Sequence, residues 1–178
     1  MGDVIRTLPA AKALKEHSPS SSITWIVEEP SQAFLESQPE IDEVILFPRK
    51  RWTKGIKSLR GMWGTIGEMW GFIAGLRRRR FDVVLDFHGI LKSGLLSFLS
   101  GSPKRIGYDR RSTKEGNFLF SNVKVKLAKE RISRFQRNLA LLKGVGLEVR
   151  ELQYSLHISA EDQEYVESFF KASSSLKR

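Results

Sequence analysis

Two short stretches put chemically able side chains where a strand gives way to a helix. One is Gly2-Asp3, ahead of Val4-Ile5-Arg6-Thr7-Leu8-Pro9; the other is Asp86-Phe87-His88-Gly89-Ile90-Leu91-Lys92-Ser93. A glycine in such a turn lets a ligand approach the backbone, and free amides at a helix start attract anions. An aspartate there can take a proton from a sugar hydroxyl as general base. In a parallel sheet both turns open on the carboxyl edge, so they can face one cleft. The plainer reading of Asp3 is an ordinary helix cap. The chain begins inside the first turn, with no strand in front of it.

Other chemistries find less support. His17 and His157 lie far from His88 in sequence, and no acidic residues form a ligand set with it, so no metal site is expected. A positioning role at the sheet edge, or simple burial, suits His88 better. Glu28-Glu29 falls on the same edge, but its spacing does not make a carboxylate pair with Asp3. Cysteine is absent, which excludes disulfides, thiolate zinc sites and thiol catalysis. With no P-loop, no complete G-x-G-x-x-G and no serine nucleophile elbow, ATP hydrolysis, dinucleotide redox chemistry and acyl transfer are weak readings.

Charge narrows the partner. The 30 Lys and Arg against 20 Asp and Glu leave a net +10, concentrated in Arg49-Lys50-Arg51, Arg77 to Arg80, Lys104-Arg105 with Arg110-Arg111-Lys114, and Lys124 to Arg137. Such clusters suit nucleic acid, an anionic membrane surface, or a phosphorylated or acidic small molecule. Any single cluster can equally be a solvated face that compensates a helix C-terminus. The aromatic-basic sheet motif of RNA-binding domains and a helix-turn-helix signature are both missing, so no nucleic-acid partner is expected. At 178 residues, 40% hydrophobic and 28% charged, the chain suits one soluble domain. The absence of a signal peptide makes the cytoplasm the default location.

The elements that must position these groups alternate between strand and helix, which indicates a parallel sheet. Val4, Leu8, Ala11 and Leu14 recur at helical spacing, and His17-Ser18-Pro19 ends that helix. Strands are expected at 23–27, 43–47, 81–87 and 105–108, with another at 123–125, and a short helix near 32–37. From Met62 to Leu76 the apolar steps of four and three make an amphipathic helix carrying Trp63 and Trp70, with glycine at 61, 64, 67, 71 and 75. It is too short and too glycine-rich to span a membrane. It could rest on a membrane surface, although core packing with a basic last turn is the favoured reading. Ile132, Phe135, Leu139 and Leu142 mark a further helix stopped by Gly144 and Gly146. Ser159 reads as the cap of a last one, which dissolves into Ala172 and the serines.

Taken together, these residues resemble the amino-terminal half of the ADP-heptose:lipopolysaccharide heptosyltransferases of glycosyltransferase family nine, most closely the heptosyltransferase I branch. Gly2-Asp3-Val4 with Leu8-Pro9-Ala10 looks like the end of the family's Ser-x-Gly-Asp motif, and Trp25-Ile26-Val27-Glu28-Glu29 is similar to its second-strand motif. Arg49-Lys50-Arg51-Trp52 resembles a basic-aromatic loop that contacts the inner core. Asp86 to Ser93 resembles the Asp-x-x-Gly-x-x-Lys-Ser turn, and Gly107-Tyr108-Asp109 with Arg110, Arg111 and Lys114 another acceptor-side loop.

The resemblance implies an α/β fold: a Rossmann-like parallel sheet flanked by helices, the amino-terminal half of a GT-B glycosyltransferase, with its first strand missing. It implies an acceptor-binding domain over residues 1–172 and a Ser-rich tail, 173–178, that starts the linker to a nucleotide-sugar domain. The implied reaction is inverting and metal-independent, needs no cofactor, and moves heptose from ADP-heptose to Kdo-lipid A at the cytoplasmic face of the inner membrane. Asp3 would be the catalytic base. Gly2, Lys50, Arg51, Trp52, His88, Gly89, Lys92, Arg111 and Lys114 would bind acceptor. Without its first strand and donor half, the chain is expected to be inactive alone and marginally stable, with two unpaired sheet edges. The alternatives are another family-nine transferase, or a non-catalytic basic module for anionic lipid.

Overall fold

The computed structural model describes residues 2–57, 59–128, 132–149, 157 and 160–175. Helix α1 runs Gly2–His17, followed by strand β1 (Thr24–Val27), short helix α2 (Gln32–Glu36) and strand β2 (Glu43–Leu46). Then come α3 (Arg49–Ile56), α4 (Leu59–Arg78), β3 (Val83–Leu85), α5 (Leu91–Leu99), β4 (Lys104–Tyr108), β5 (Val123–Val125), α6 (Arg134–Leu141) and α7 (Ala160–Ser175). All strand pairs are parallel, in two sheets ordered β1-β2 and β3-β4-β5. Among the described residues no strand pairs with the second side of β1 or of β3.

Helix α1 joins the two sheets. Its Leu8 and Val4 pack with Val27, Leu35, Val44 and Leu46 of the first. About 180° round the helix, Ala10, Ala13 and Leu14 pack with Leu139 and Leu142, and with Leu85 and Phe87 of the second. The apolar periodicity of α1 thus serves two cores. A third cluster sets Leu141 of α6 against Ile106, Tyr108 and Val125 in the larger sheet. Polar ties fix the ends: Lys15 reaches Asp42 at 2.8 Å, and Asp42 also accepts the Ile23 amide at 2.7 Å. That amide first, and then Lys15, hold the Asp42 carboxyl below its ordinary pKa.

The structure revises several sequence-based boundaries. Asp3 lies inside the first turn of α1 and does not cap it; its carboxylate pairs with Arg6 at 3.3 Å. The strand expected over 81–87 pairs only at Val83–Leu85, because from Asp86 the backbone turns toward α5. Helix α6 tightens into a 3-10 turn at Leu142–Val145 before Gly146, at φ +87°, stops it. Helix α7 continues through Ser175, past the composition break at 172, and the proposed cap Ser159 lies outside the described residues.

The largest revision concerns Arg49-Lys50-Arg51-Trp52, expected as a loop and found as the start of α3. Trp52 is 7% exposed and meets Phe47 and Phe72 edge-on, with ring centroids 5.1 and 5.4 Å away. This aromatic triplet clamps α3 between β2 and α4. The α3–α4 hairpin closes tightly as well: a Cβ on Gly55 would strike the Thr65 hydroxyl, and one on Gly61 would lie 2.8 Å from the Gly55 carbonyl.

Helix α4 reverses the packing expected for its tryptophans. It buries Thr65 and Leu76, whereas Trp63 is 74% and Trp70 66% exposed. Core packing therefore does not explain either indole. No helix among the described residues is long and apolar enough to cross a membrane.

Replacing Trp52 by alanine removes the centre of the aromatic triplet and should cost about 3–5 kcal/mol in chemical denaturation. Phe at this position should cost far less, since the Trp52 Nε1 has no hydrogen-bond partner among the described residues.

Candidate functional site

The carboxyl edge of the β3-β4-β5 sheet carries the Asp86 turn, the Asp109–Gly116 loop and the residues after β5. A buried carboxylate organises the first of these. Asp86 is 5% exposed, and its Oδ1 accepts the His88 and Gly89 amides at 3.0 and 3.2 Å. Its Oδ2 accepts from the Ser93 hydroxyl at 2.9 Å and from Asn117 Nδ2 at 2.7 Å. Asn117, fully buried, spends its other amide proton on the Ile90 carbonyl at 2.6 Å. Four donors on one anion offset the cost of removing it from water. The turn's shape follows, with Gly89 at φ +71°.

This wiring corrects one sequence-based expectation. The amides from His88 to Leu91, which lead into α5, are not free to hold an anion. His88 and Gly89 N–H go to Asp86, Ile90 N–H to the Ser93 hydroxyl at 3.3 Å, and Leu91 N–H to the Glu115 carboxylate at 3.2 Å. What the turn offers a ligand is side chains: His88 and Lys92 are exposed, while Gly89 is buried. Asp86 shapes the turn and, with every lone pair engaged, holds no proton-accepting position open.

The loop after β4 is bound to that turn. Lys114 N–H donates to the Gly89 carbonyl at 3.0 Å, and Asp109 accepts the Ser112 amide at 3.1 Å. The loop therefore holds exposed Arg110, Arg111 and Lys114 beside His88 and Lys92 on one edge. Phe118 supports two of the edge's cations, with Arg110 5.7 Å and Lys124 5.6 Å from its ring centroid. The result is a cluster of positive side chains on a hydrogen-bonded frame, suited to carboxylate or phosphate groups.

A second chain of contacts ties this edge to Asp3. The Arg137 guanidinium lies over the Tyr108 ring, 4.3 Å from its centroid, and donates to the Ser112 carbonyl at 2.9 Å. A Cβ on Gly89 would approach Arg137 Nη2 to 3.2 Å, so the glycine makes room for the guanidinium. The Tyr108 hydroxyl reaches Asn138 Oδ1 at 3.3 Å, and Asn138 Nδ2 donates to Thr7 Oγ1 at 2.8 Å. The Thr7 hydroxyl in turn donates to the Asp3 carbonyl at 2.8 Å. The first turn of α1 is thereby registered against the same edge as His88 and Arg111. Asp3 itself is exposed, with Arg6 as its partner.

Sequence reasoning singled out Asp3, Gly89 and the cations, but missed Thr7, Asn117, Arg137 and Asn138. Their partners across the fold lie 25 to 132 residues away, and no local spacing announces them. The other candidates stand elsewhere. Lys50 and Arg51 are exposed on α3, where Arg51 pairs with Glu68, and Trp52 is in the aromatic triplet. Its burial makes Trp52 a support for α3, and it offers no ring face to an acceptor. Glu28 pairs with Arg49 at 3.1 Å, so it and Asp3 each have their own arginine and do not act as a pair. No group of three or more metal-ligating side chains occurs among the described residues.

Burial pushes the Tyr108 hydroxyl up to about 12, against a smaller opposing pull from Arg137. The folded pKa exceeds the unfolded value of about 10. Stability from keeping this phenol neutral is therefore complete below pH 10 and is lost as pH rises toward 12. Denaturation between these limits should show a decline of up to about 2–3 kcal/mol attributable to Tyr108. Tyr108→Phe should flatten it.

The profile of glycosyltransferase family 9 (heptosyltransferase) matches residues 69–177. The chain is 25% identical over 171 residues to the lipopolysaccharide core heptosyltransferase OpsX of Haemophilus influenzae, covering 95% of this chain and 44% of that protein. It is 33% identical over 117 residues to lipopolysaccharide heptosyltransferase 1 of Pseudomonas aeruginosa, covering 65% and 31%. The structure superposes on the Escherichia coli heptosyltransferase WaaC with ADP-2-deoxy-2-fluoro heptose at a TM-score of 0.71 and 27% identity, covering 89% of this chain and 47% of that one. A family 9 glycosyltransferase from Veillonella parvula shares the fold at a TM-score of 0.68 and 21% identity. The chain thus spans less than half the length of these relatives.

Proposed function

The chain belongs to glycosyltransferase family 9, and from that premise we propose that it is the acceptor-binding half of a heptosyltransferase of lipopolysaccharide core synthesis. The observation that carries the proposal is the bonded frame joining the Asp3 turn to the cationic edge of the β3-β4-β5 sheet. A transferase needs a proton acceptor held at a fixed place beside the site that anchors the acceptor. That frame supplies such an arrangement.

In this reading Arg111, Lys114, Lys92 and His88 anchor the carboxylates and phosphates of the Kdo-lipid A inner core. Lys50 and Arg51 on α3 extend the charge toward the same acceptor. An acceptor hydroxyl gives its proton to the Asp3 carboxylate, and its oxygen attacks the anomeric carbon of ADP-heptose. The bond to ADP breaks as the new glycosidic bond forms, with inversion and without a metal ion. Arg6, 3.3 Å from Asp3, orients that carboxylate on the first turn of α1. In this reading ADP-heptose is held by the donor-binding half of the enzyme. The enzyme works at the cytoplasmic face of the inner membrane, where its lipid acceptor sits.

The test uses the enzyme with both halves. Asp3→Asn keeps the shape of the side chain and removes the base, and should lower kcat by about 10²–10⁴ with acceptor KM nearly unchanged. An unaltered kcat would remove Asp3 from the mechanism. Exhaustive chelation of divalent ions should leave turnover unchanged, and a loss restored by added metal would overturn the metal-free reading.

A further inference from the structure

Helix α4 carries a feature that the acceptor site does not use. Taking Trp63 as origin and 100° per residue, Gly67, Trp70 and Ala74 fall within about 40° of it. Gly64, Gly71, Arg77 and Arg78 border the same face. The two indoles stand about 10 Å apart along the axis. Both are largely exposed, at 74% and 66%.

The glycines between them have no internal cause. A Cβ on Gly64, Gly67 or Gly71 would meet nothing within 4 Å, unlike Gly55 and Gly61 in the α3–α4 hairpin. Each glycine inside a helix is destabilising relative to alanine. Here they leave a smooth strip from which only the indoles project. The face is also free of negative charge: Glu68, the one acid of α4, stands about 140° round the helix from Trp63 and is paired with Arg51 of α3. Arg77 and Arg78 close the last turn, and Arg80 follows at φ +50°. Among the described residues no acidic side chain pairs with these three arginines.

We propose that the Trp63–Trp70 face of α4 is the surface by which this protein lies on an anionic lipid bilayer. Indoles favour the headgroup boundary, where the ring is half apolar and its N–H remains wet. A helix with an apolar strip and a basic end lies in the plane of that boundary. The flanking cations are attracted to anionic headgroups, and they oppose a second copy of a chain whose net charge is +10. The proposal stands on α4 itself and takes from the transferase reading only that the acceptor is a lipid.

Sedimentation with vesicles tests it, using phosphatidylcholine alone or mixed with phosphatidylglycerol. The protein should partition onto the anionic vesicles, with a blue-shifted tryptophan emission, and weakly onto the neutral ones. Trp63→Ser combined with Trp70→Ser should lower partitioning at least about tenfold and abolish the shift. Thermal unfolding should be preserved, because both side chains are exposed. Arg78→Glu should weaken binding to the anionic vesicles alone. Equal partitioning of the double variant and the parent would overturn the proposal, as would a parent that binds neither vesicle. So would a parent dimer that the double variant dissolves while lipid binding is unchanged, which would give the face to a second copy. Vesicle binding needs neither donor nor sugar acceptor, so this outcome and that of the transfer assay are independent.

Discussion

Asp86 is a carboxylate removed from water, and its need for donors dictates the geometry around it. An unpaired charge in that position would be untenable, so the backbone of His88 and Gly89, the Ser93 hydroxyl and the Asn117 amide converge on it. Convergence folds the β3–α5 turn, fixes the start of α5 and draws in the loop that carries Arg110, Arg111 and Lys114. Gly94 continues the constraint: a Cβ there would lie 2.5 Å from Asn117 Nδ2, so α5 can approach Asn117 only with glycine at that position. The exposed cations of the candidate site are therefore surface features of a buried polar cluster. Their relative positions owe more to Asp86 than to one another.

A second polar thread, Arg137–Tyr108–Asn138–Thr7, makes the connection to α1. Tyr108 is central to it because the residue sits in two environments at once. Its ring is a fully buried wall for Leu141 and Val125, its outer face carries the Arg137 guanidinium, and its hydroxyl meets Asn138. A charged residue held by a ring face and a carbonyl has few alternative rotamers, so Arg137 transmits position as well as charge. Elements from both ends of the chain thereby arrive at one sheet edge in a fixed register.

Much of this architecture is legible in the sequence. The strand at β4, the C-terminal end of α1, and the turn between β3 and α5 announce themselves by periodicity and by the Pro, Ser and Gly residues around them. Asp3, Gly89 and the basic clusters are visible because their chemistry is conspicuous. What is not legible depends on distant partners. Arg49 to Trp52 has no helical periodicity of its own, and α3 forms because Phe47 and Phe72 provide a seat for Trp52. Asp86 looks like a reactive group until Asn117, 31 residues on, shows it to be saturated. The Leu91 amide at the start of α5 is engaged for a similar reason, since Glu115 arrives from another loop. Helix α4 is legible in part: the stripe of Met62, Ile66, Met69, Ile73 and Leu76 turns inward as its periodicity indicates, while the exposed indoles lie off that stripe.

The contact between Thr7 and Asn138 spans 131 residues. Closing so long a loop is entropically costly and slow, and it yields nothing until α6 has formed. During synthesis on the ribosome, α1 can settle on β1 and β2 early, while the register of its first turn awaits a segment made much later. The residue proposed to accept the proton is thus polymerised well before the segment that locks it in place.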